Sequence, residues 1–294
     1  MKEFNVKGTG VALVTPFDRQ GNIDFVSFGK LINHVIEGGV DYLVCLGTTS
    51  EYPTLTDKEM LAIKEFTIEI ADNRIPIVLG IGSNDTRKLI NQITKMDYTG
   101  ISAVLSVAPF YNKPSQKGLF EHFRLVADSC SLPVIIYNVP GRTGSNITAD
   151  TTLKLVEECP KIIAIKEASG NMAQCMEILR QKPKGFELLS GEDALTLPLM
   201  AMGAKGVISV TANAMPKHVS SMVNLLLKDS CRKATLIHNE LLPLTNTLFE
   251  EGNPCGIKTA LEILGIAQNY VRLPLVKASK TLYNKIQTII GDIQ

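Results

Sequence analysis

The stretch Ile162-Ile163-Ala164-Ile165-Lys166-Glu167-Ala168-Ser169 is a short apolar run with one cationic residue near its far end. Rich in β-branched residues and bounded by Pro160 and Gly170, it reads as a buried strand. The chain repeats the pattern: apolar runs at 11–14, 42–46, 75–80, 103–107, 134–137, 162–166, 186–190 and 207–210 predict strands. Helical periodicity falls between them, at 57–70, 86–95, 118–130, 149–159, 171–181 and 194–202. Strands at intervals of roughly 25–35 residues, each followed by a helix, predict an α/β protein, a (β/α)8 TIM barrel, over residues 1–228. A doubly wound open sheet is the competitor. Against it, Gly80-Ile81-Gly82-Ser83-Asn84-Asp85 lacks the third glycine of a dinucleotide-binding turn. Beyond residue 228 only helical stripes follow, at 233–248, 257–264 and 278–290, which predict a small C-terminal helical appendage over 229–294.

Bulk properties narrow the function classes. Thirty Lys+Arg stand against twenty-nine Asp+Glu, so no nucleic-acid or other polyanionic partner is indicated. The cysteines (Cys45, Cys130, Cys159, Cys175, Cys231, Cys255) are far apart and form no C-x-x-C pair. With no secretory signal at Met1-Lys2-Glu3-Phe4, they read as reduced thiols in a cytoplasmic protein. No apolar run approaches the roughly 18 residues of a membrane span. His34, His122, His218 and His238 are scattered without ligand spacing, so no metal is expected and a zinc-dependent aldolase is disfavoured.

Lys166 is the residue that needs a reason. Lysine is rarely fully buried, because its ammonium loses hydration there. Burial disfavours the charged form and yields a neutral amine able to attack a carbonyl, which is what a Schiff-base enzyme requires. The alternative is a strand-end lysine whose stem packs while its head reaches water or pairs with Glu167.

In a barrel, chemistry gathers at the carboxyl ends of the strands. There the chain places Thr15, the run Gly47-Thr48-Thr49-Ser50-Glu51, Tyr111 after the fourth strand, Arg142 after the fifth and Ser190-Gly191-Glu192-Asp193 after the seventh. Tyr137 and Lys166 are expected on neighbouring strands at the same height, where a phenol can shuttle the protons of imine formation. Thr48 and Thr49 can hold a carboxylate or pass a proton, or else cap the next helix. Arg142 can receive a carboxylate or pair with a surface acid. Tyr111 can be loop packing, and Glu167, Glu192 and Asp193 read best as structural pairing or capping.

Gly47-Thr-Thr-Ser-Glu51, Phe110-Tyr-Asn-Lys-Pro114, Tyr137-Asn-Val-Pro-Gly-Arg-Thr-Gly144, Ile165-Lys-Glu-Ala-Ser-Gly170 and Gly206-Val-Ile-Ser-Val-Thr-Ala-Asn213 together resemble the dihydrodipicolinate synthase family, in its order and spacing. The resemblance runs into the tail, through Asn253-Pro-Cys-Gly-Ile-Lys258 and Arg272-Leu-Pro274. It implies a lyase that condenses pyruvate with aspartate semialdehyde, without a cofactor, for diaminopimelate and lysine synthesis. It implies Lys166 as the imine-forming residue. Tyr137, Thr48 and Tyr111 match the proton relay, Tyr111 reaching in from a neighbouring subunit. Thr49 and the Ile208 backbone match the pyruvate-holding positions, and Arg142 the one that receives the aldehyde's carboxylate. A homo-oligomer, a dimer or a dimer of dimers, follows from the same resemblance, which suggests a homotetramer.

N-acetylneuraminate lyase and keto-deoxy sugar-acid aldolases share the lysine and tyrosine, but the paired threonines and Arg142 point to the synthase. A sugar-phosphate barrel needs a Gly-rich anion loop after strands seven and eight, and the acidic Glu192-Asp193 argues against one. A scaffold without activity is expected to have lost Lys166, Tyr137 or Thr48; all are present. At the positions where many members bind L-lysine the chain reads Pro53, Asp57, Met60, Asn84, Lys88 and Phe110. Lys88 stands where an acidic residue receives the ligand's ammonium, and Phe110 replaces a tyrosine, so weak or absent inhibition by L-lysine is expected. Ser50, where glycine is commoner, is expected to stiffen its loop through a local hydroxyl bond.

Overall fold

A computed structural model describes residues 4–293 of the chain. Met1, Lys2 and Glu3, on which the reading of a leader segment partly rests, lie outside the described residues. The strands are β1 Gly8–Ala12, β2 Tyr42–Cys45, β3 Ile77–Ile81, β4 Ala103–Val107, β5 Val134–Asn138, β6 Ile162–Glu167, β7 Glu187–Ser190 and β8 Gly206–Ser209. Their order is β1 to β8 in sequence, closed on itself, and every pairing between adjacent named strands that carries a register is parallel. The protein is a (β/α)8 barrel, and the open-sheet alternative is excluded by closure.

The helices are α1 Phe25–Glu37, α2 Asp57–Ala71, α3 Thr86–Lys95, α4 Gln116–Ser129, the single turn α5 Pro140–Thr143, α6 Ala149–Glu158, α7 Met172–Gln181, α8 Thr196–Ala201, α9 Pro216–Leu227, α10 Cys231–Thr247, α11 Cys255–Ile263 and α12 Lys280–Ile293. The long helices that follow β1 to β6 start on side-chain caps. Asp24, Thr56, Asp85, Ser115, Thr148 and Asn171 each accept a bond from a backbone N–H of the first turn. Thr56 and Glu59 form a reciprocal capping box. The cap of α2 is therefore Thr56, and Thr48 and Thr49 are free of that duty.

Four strands start away from their expected places, β7 and β8 by one residue and β3 and β1 by two or more. Pro76 supplies no N–H, so β3 begins after it rather than at 75. β1 begins at Gly8, earlier than the run at 11–14, because its first residues, Gly8, Thr9 and Gly10, carry no large apolar side chain to extend that run. A Cβ at Gly10 would lie 2.2 Å from the Tyr42 ring, so the close approach of that aromatic selects glycine against ordinary strand propensity.

The chain forms two compact units, one from residues 4–7 and 76–208, the other from residues 8–75 and 209–293. The first holds β3 to β7, most of β8 and helices α3 to α8. The second holds β1, β2, α1, α2 and α9 to α12. In it α10 packs on α9 and α12, and α11 on α12. Asn213 ties this unit together. Its Nδ2 donates to Ala12 O and Val210 O, both at 2.9 Å, while its Oδ1 accepts from Val14 N at 3.2 Å.

The cysteines are free thiols, five buried and Cys231 exposed. Among the described residues, no helix is long and apolar enough to cross a membrane, and no group of three His, Cys, Asp or Glu could hold a metal ion.

Candidate active site

Lys166 is the penultimate residue of β6 and Tyr137 the penultimate residue of β5, and they are register partners. Both are buried, at 5% and 6% exposure. The Lys166 Nζ lies 4.2 Å from the centroid of the Tyr137 ring. This pairing depends on an irregularity lower in the strands. Val134 opposes Ile162, yet Ile135 opposes Ala164, so Ile163 is an extra residue on β6. Without it Tyr137 would oppose Ile165, and the lysine would sit beside Asn138.

The next residue along each strand faces the opposite way. Glu167 does not pair with Lys166. Its carboxylate accepts from Asn138 Nδ2 (3.0 and 3.1 Å), Ser169 N (2.8 Å) and Gln174 Nε2 (2.8 Å), the last on α7. Asn138 Nδ2 also donates to Asn146 Oδ1, Asn138 Oδ1 accepts from Ile147 N, and Asn146 Nδ2 donates to Gln174 Oε1. Because this face carries Glu167 toward α7, strand alternation turns Lys166 inward. Among the described residues no carboxylate forms an ion pair with Lys166. The reading in which it is neutralised by Glu167 is therefore set aside.

The same network anchors the loop after β5, which carries Arg142 within the turn α5. Gly144 ends that turn with φ +70°, and a Cβ there would lie 2.9 Å from Lys113 Cε, so the loop packs on the segment after β4. That segment presents Tyr111, 86% exposed and with φ +74°. A positive φ is costly for a bulky aromatic, and an exposed tyrosine gains nothing from local packing in return. Tyr111 is thus not loop packing. Asn112 pins the segment by donating from Nδ2 to Asn84 O at 2.9 Å.

Glu192 follows β7, half-buried, and its side chain makes no helix-cap bond. Burial pushes its carboxyl above the usual range and Asp193 adds to this, while Lys166 and Arg142 pull it back down. Glu192 therefore belongs to the electrostatic neighbourhood of those two cations, not to capping. Gly191 brings β7 close to β6. Its N–H donates to Glu167 O at 2.7 Å, and a Cβ on it would lie 2.6 Å from the Ala168 Cβ. Ile208 is penultimate in β8 and fully buried.

Thr48 and Thr49 lie in the other compact unit, in a single helical turn over Thr48–Ser50 directly after β2. Thr48 is half-buried and Thr49 buried. Ser50 Oγ donates to Gly47 O at 2.6 Å, the stiffening bond expected of it, and Thr15 Oγ1 donates to Ser50 O at 2.9 Å. Leu46 and Glu51 bracket the turn with φ of 56° and 58°. Thr49 Oγ1 accepts from Asn253 Nδ2 at 3.0 Å. Two residues on, the Glu51 carboxylate is buried. It pairs with the Nζ of Lys258, itself 0% exposed, and accepts from Arg272 N at 2.9 Å. Burial drags the Lys258 ammonium down to about 8, with Glu51 pulling the other way.

Sequence reading passed over Asn138, Gln174, Asn253 and the Glu51–Lys258 pair as supporting residues. Asn138, Glu51, Asn253 and Lys258 were visible inside shared motifs, but nothing local said which partners they would meet.

The fold and the lysine-bearing strand define a (β/α)8-barrel enzyme. The profile of the Dihydrodipicolinate synthetase family matches residues 5–293, and the chain belongs to that family. It is 46% identical over 293 residues to the 4-hydroxy-tetrahydrodipicolinate synthase of Parabacteroides distasonis, covering 100% of this chain and 99% of that protein. The structure of the 4-hydroxy-tetrahydrodipicolinate synthase from Methylacidiphilum fumariolicum SolV is similar with a TM-score of 0.95 at 40% identity, covering 98% of this chain and 96% of that one. A dihydrodipicolinate synthase from Cyanidioschyzon merolae with lysine bound is similar with a TM-score of 0.94 at 36% identity, covering 98% of each chain.

Proposed function

We propose that the protein condenses pyruvate with L-aspartate 4-semialdehyde through a Schiff base on Lys166, giving 4-hydroxy-tetrahydrodipicolinate in diaminopimelate and L-lysine biosynthesis. The observation that carries the site assignment is the buried Lys166 amine, with no ion-pair partner among the described residues, over the Tyr137 ring. A neutral Lys166 adds to the keto carbon of pyruvate, and loss of water leaves a protonated imine. That imine withdraws electrons, a methyl proton is removed, and the enamine attacks the aldehyde carbon. The amino group of the second substrate then adds to the imine carbon and displaces Lys166, closing the ring. Each proton transfer needs a donor or acceptor within reach, the task assigned to Tyr137, Thr48 and Tyr111. Thr49 and the Ile208 backbone hold pyruvate, and Arg142 receives the carboxylate of the aldehyde. Residues 1–228 carry this chemistry and residues 229–294 support it. No metal or cofactor takes part, and the enzyme works in the cytoplasm as a dimer or dimer of dimers. The deciding test is borohydride reduction in the presence of pyruvate, followed by mass mapping. An adduct on another lysine, or none, overturns the reading.

Arg142→Ala is expected to impair use of aspartate semialdehyde far more than imine formation. Loss of a charge-assisted pair costs on the order of 2–3 kcal/mol, or about 30–150-fold in kcat/KM for the aldehyde. Equal loss of pyruvate trapping would place Arg142 on the first substrate or in the fold.

Tyr111→Phe is expected to lower turnover by about 10²–10⁴-fold with the fold intact, since only a hydroxyl is removed. The exposure and left-handed backbone of Tyr111 support its acting in a neighbouring subunit's site. Oligomers mixed from Tyr111→Phe and Lys166→Ala chains should regain part of the activity. No rescue, with mixing verified, would place both residues in one chain's site.

L-Lysine is expected to inhibit weakly or not at all, with half-inhibition above about 1 mM, which corresponds to roughly −4.1 kcal/mol of binding. Lys88 presents a like charge to the ligand's ammonium groups, and Phe110 offers no hydroxyl. Titrating L-lysine at saturating pyruvate checks this, and half-inhibition below that concentration would show that a competent site persists.

A further inference from the structure

We infer that Asn253 is a positioning residue for Thr49, setting its hydroxyl to donate to the carboxylate of the bound keto acid, with the Glu51–Lys258 pair holding the turn in register with it. The inference rests on the reading of Thr49 as a pyruvate-holding residue and adds what orients it.

A threonine hydroxyl has one hydrogen and two lone pairs. Asn253 Nδ2 donates into one lone pair of Thr49 Oγ1 at 3.0 Å. The Thr49 proton cannot return along that line, so it is directed elsewhere. Both side chains are buried, at 2% and 7% exposure, so water does not compete freely for the hydroxyl. An anionic oxygen is the acceptor such a hydroxyl suits best.

The turn also needs to be held. Leu46 and Glu51 both adopt left-handed backbone conformations that L side chains rarely take. Such conformations persist where the surroundings over-determine them, and here two tethers run in parallel. Asn253 reaches Thr49, and Lys258, in α11, reaches Glu51 two residues along the turn. Lys258 Nζ donates also to Tyr270 O at 2.8 Å and lies 4.2 Å from the Phe17 ring centroid. A buried ion pair contributes little net stability over an apolar replacement, so its use here is better explained by register than by stability.

The test is pyruvate-dependent borohydride trapping of Lys166 in Asn253→Ala, Asn253→Asp and Thr49→Val, with thermal midpoints measured alongside. Asn253→Ala should raise the pyruvate concentration for half-maximal trapping about 10-fold, while saturating pyruvate still modifies Lys166. Asn253→Asp should raise it further, because a carboxylate would take the Thr49 proton and repel the substrate anion. A merely structural role predicts the opposite order, since Asp is nearly isosteric with Asn and Ala leaves a gap. If the alanine variant does not fold, Asn253→Asp carries the comparison with the parent. Unchanged half-saturation in Thr49→Val overturns both the role of Thr49 and this inference. A shift in Thr49→Val with none in the Asn253 variants overturns this inference alone.

Discussion

Lys166→Ala is expected to lose turnover by on the order of 10⁴-fold or more, the scale on which removal of a covalent nucleophile acts. Lys166→Arg should be equally inactive, because a guanidinium stays protonated and cannot add to a carbonyl. Neither change should unfold the barrel. Lys166 has no ion pair to break among the described residues, and its amine lies over the Tyr137 ring, so truncation strands no opposite charge. The measurements are steady-state turnover, pyruvate trapping and a denaturation curve for each variant. A folded Lys166→Ala protein retaining a tenth of the activity would remove the Schiff base from the mechanism.

Lys258→Met is expected to cost about 3–5 kcal/mol of stability, which for a chain of this size lowers the thermal midpoint on the order of 10 °C. The cause is the partner left behind. Glu51 is buried, and without Lys258 its carboxylate loses its cation and is left with the Arg272 N–H. The double variant Glu51→Gln/Lys258→Met should recover most of the loss, because no uncompensated charge remains. A single variant as stable as the parent, or a double variant no better than the single, would show that the pair does not behave as a coupled buried charge. The contrast between the two lysines is informative. Both are buried over an aromatic ring, at 4.2 Å in each case, yet one is committed to a carboxylate and the other is not.

The alternation of apolar runs with helical stripes pointed to the barrel, and the missing third glycine after β3 weighed against the open sheet, which closure then excluded. Parallel strands buried on both faces must be continuously apolar, and amphipathic helices must lie between them. The lone cation at the end of the sixth run marked the position that needs a chemical reason, since a buried ammonium is expensive wherever it occurs. Glycine hid the start of β1, because close approach of the Tyr42 ring, not propensity, puts Gly10 in a strand. Two things belonged to tertiary structure alone. The extra residue Ile163 sets the register that places Tyr137 beside Lys166, and a shift of one residue there would exchange inward and outward faces along the strand. The partners of Glu51 and Thr49 lie 207 and 204 residues away along the chain, at Lys258 and Asn253. No local pattern encodes such a pairing, because charge and hydrogen-bond complementarity act through space and only the folded chain decides which groups meet.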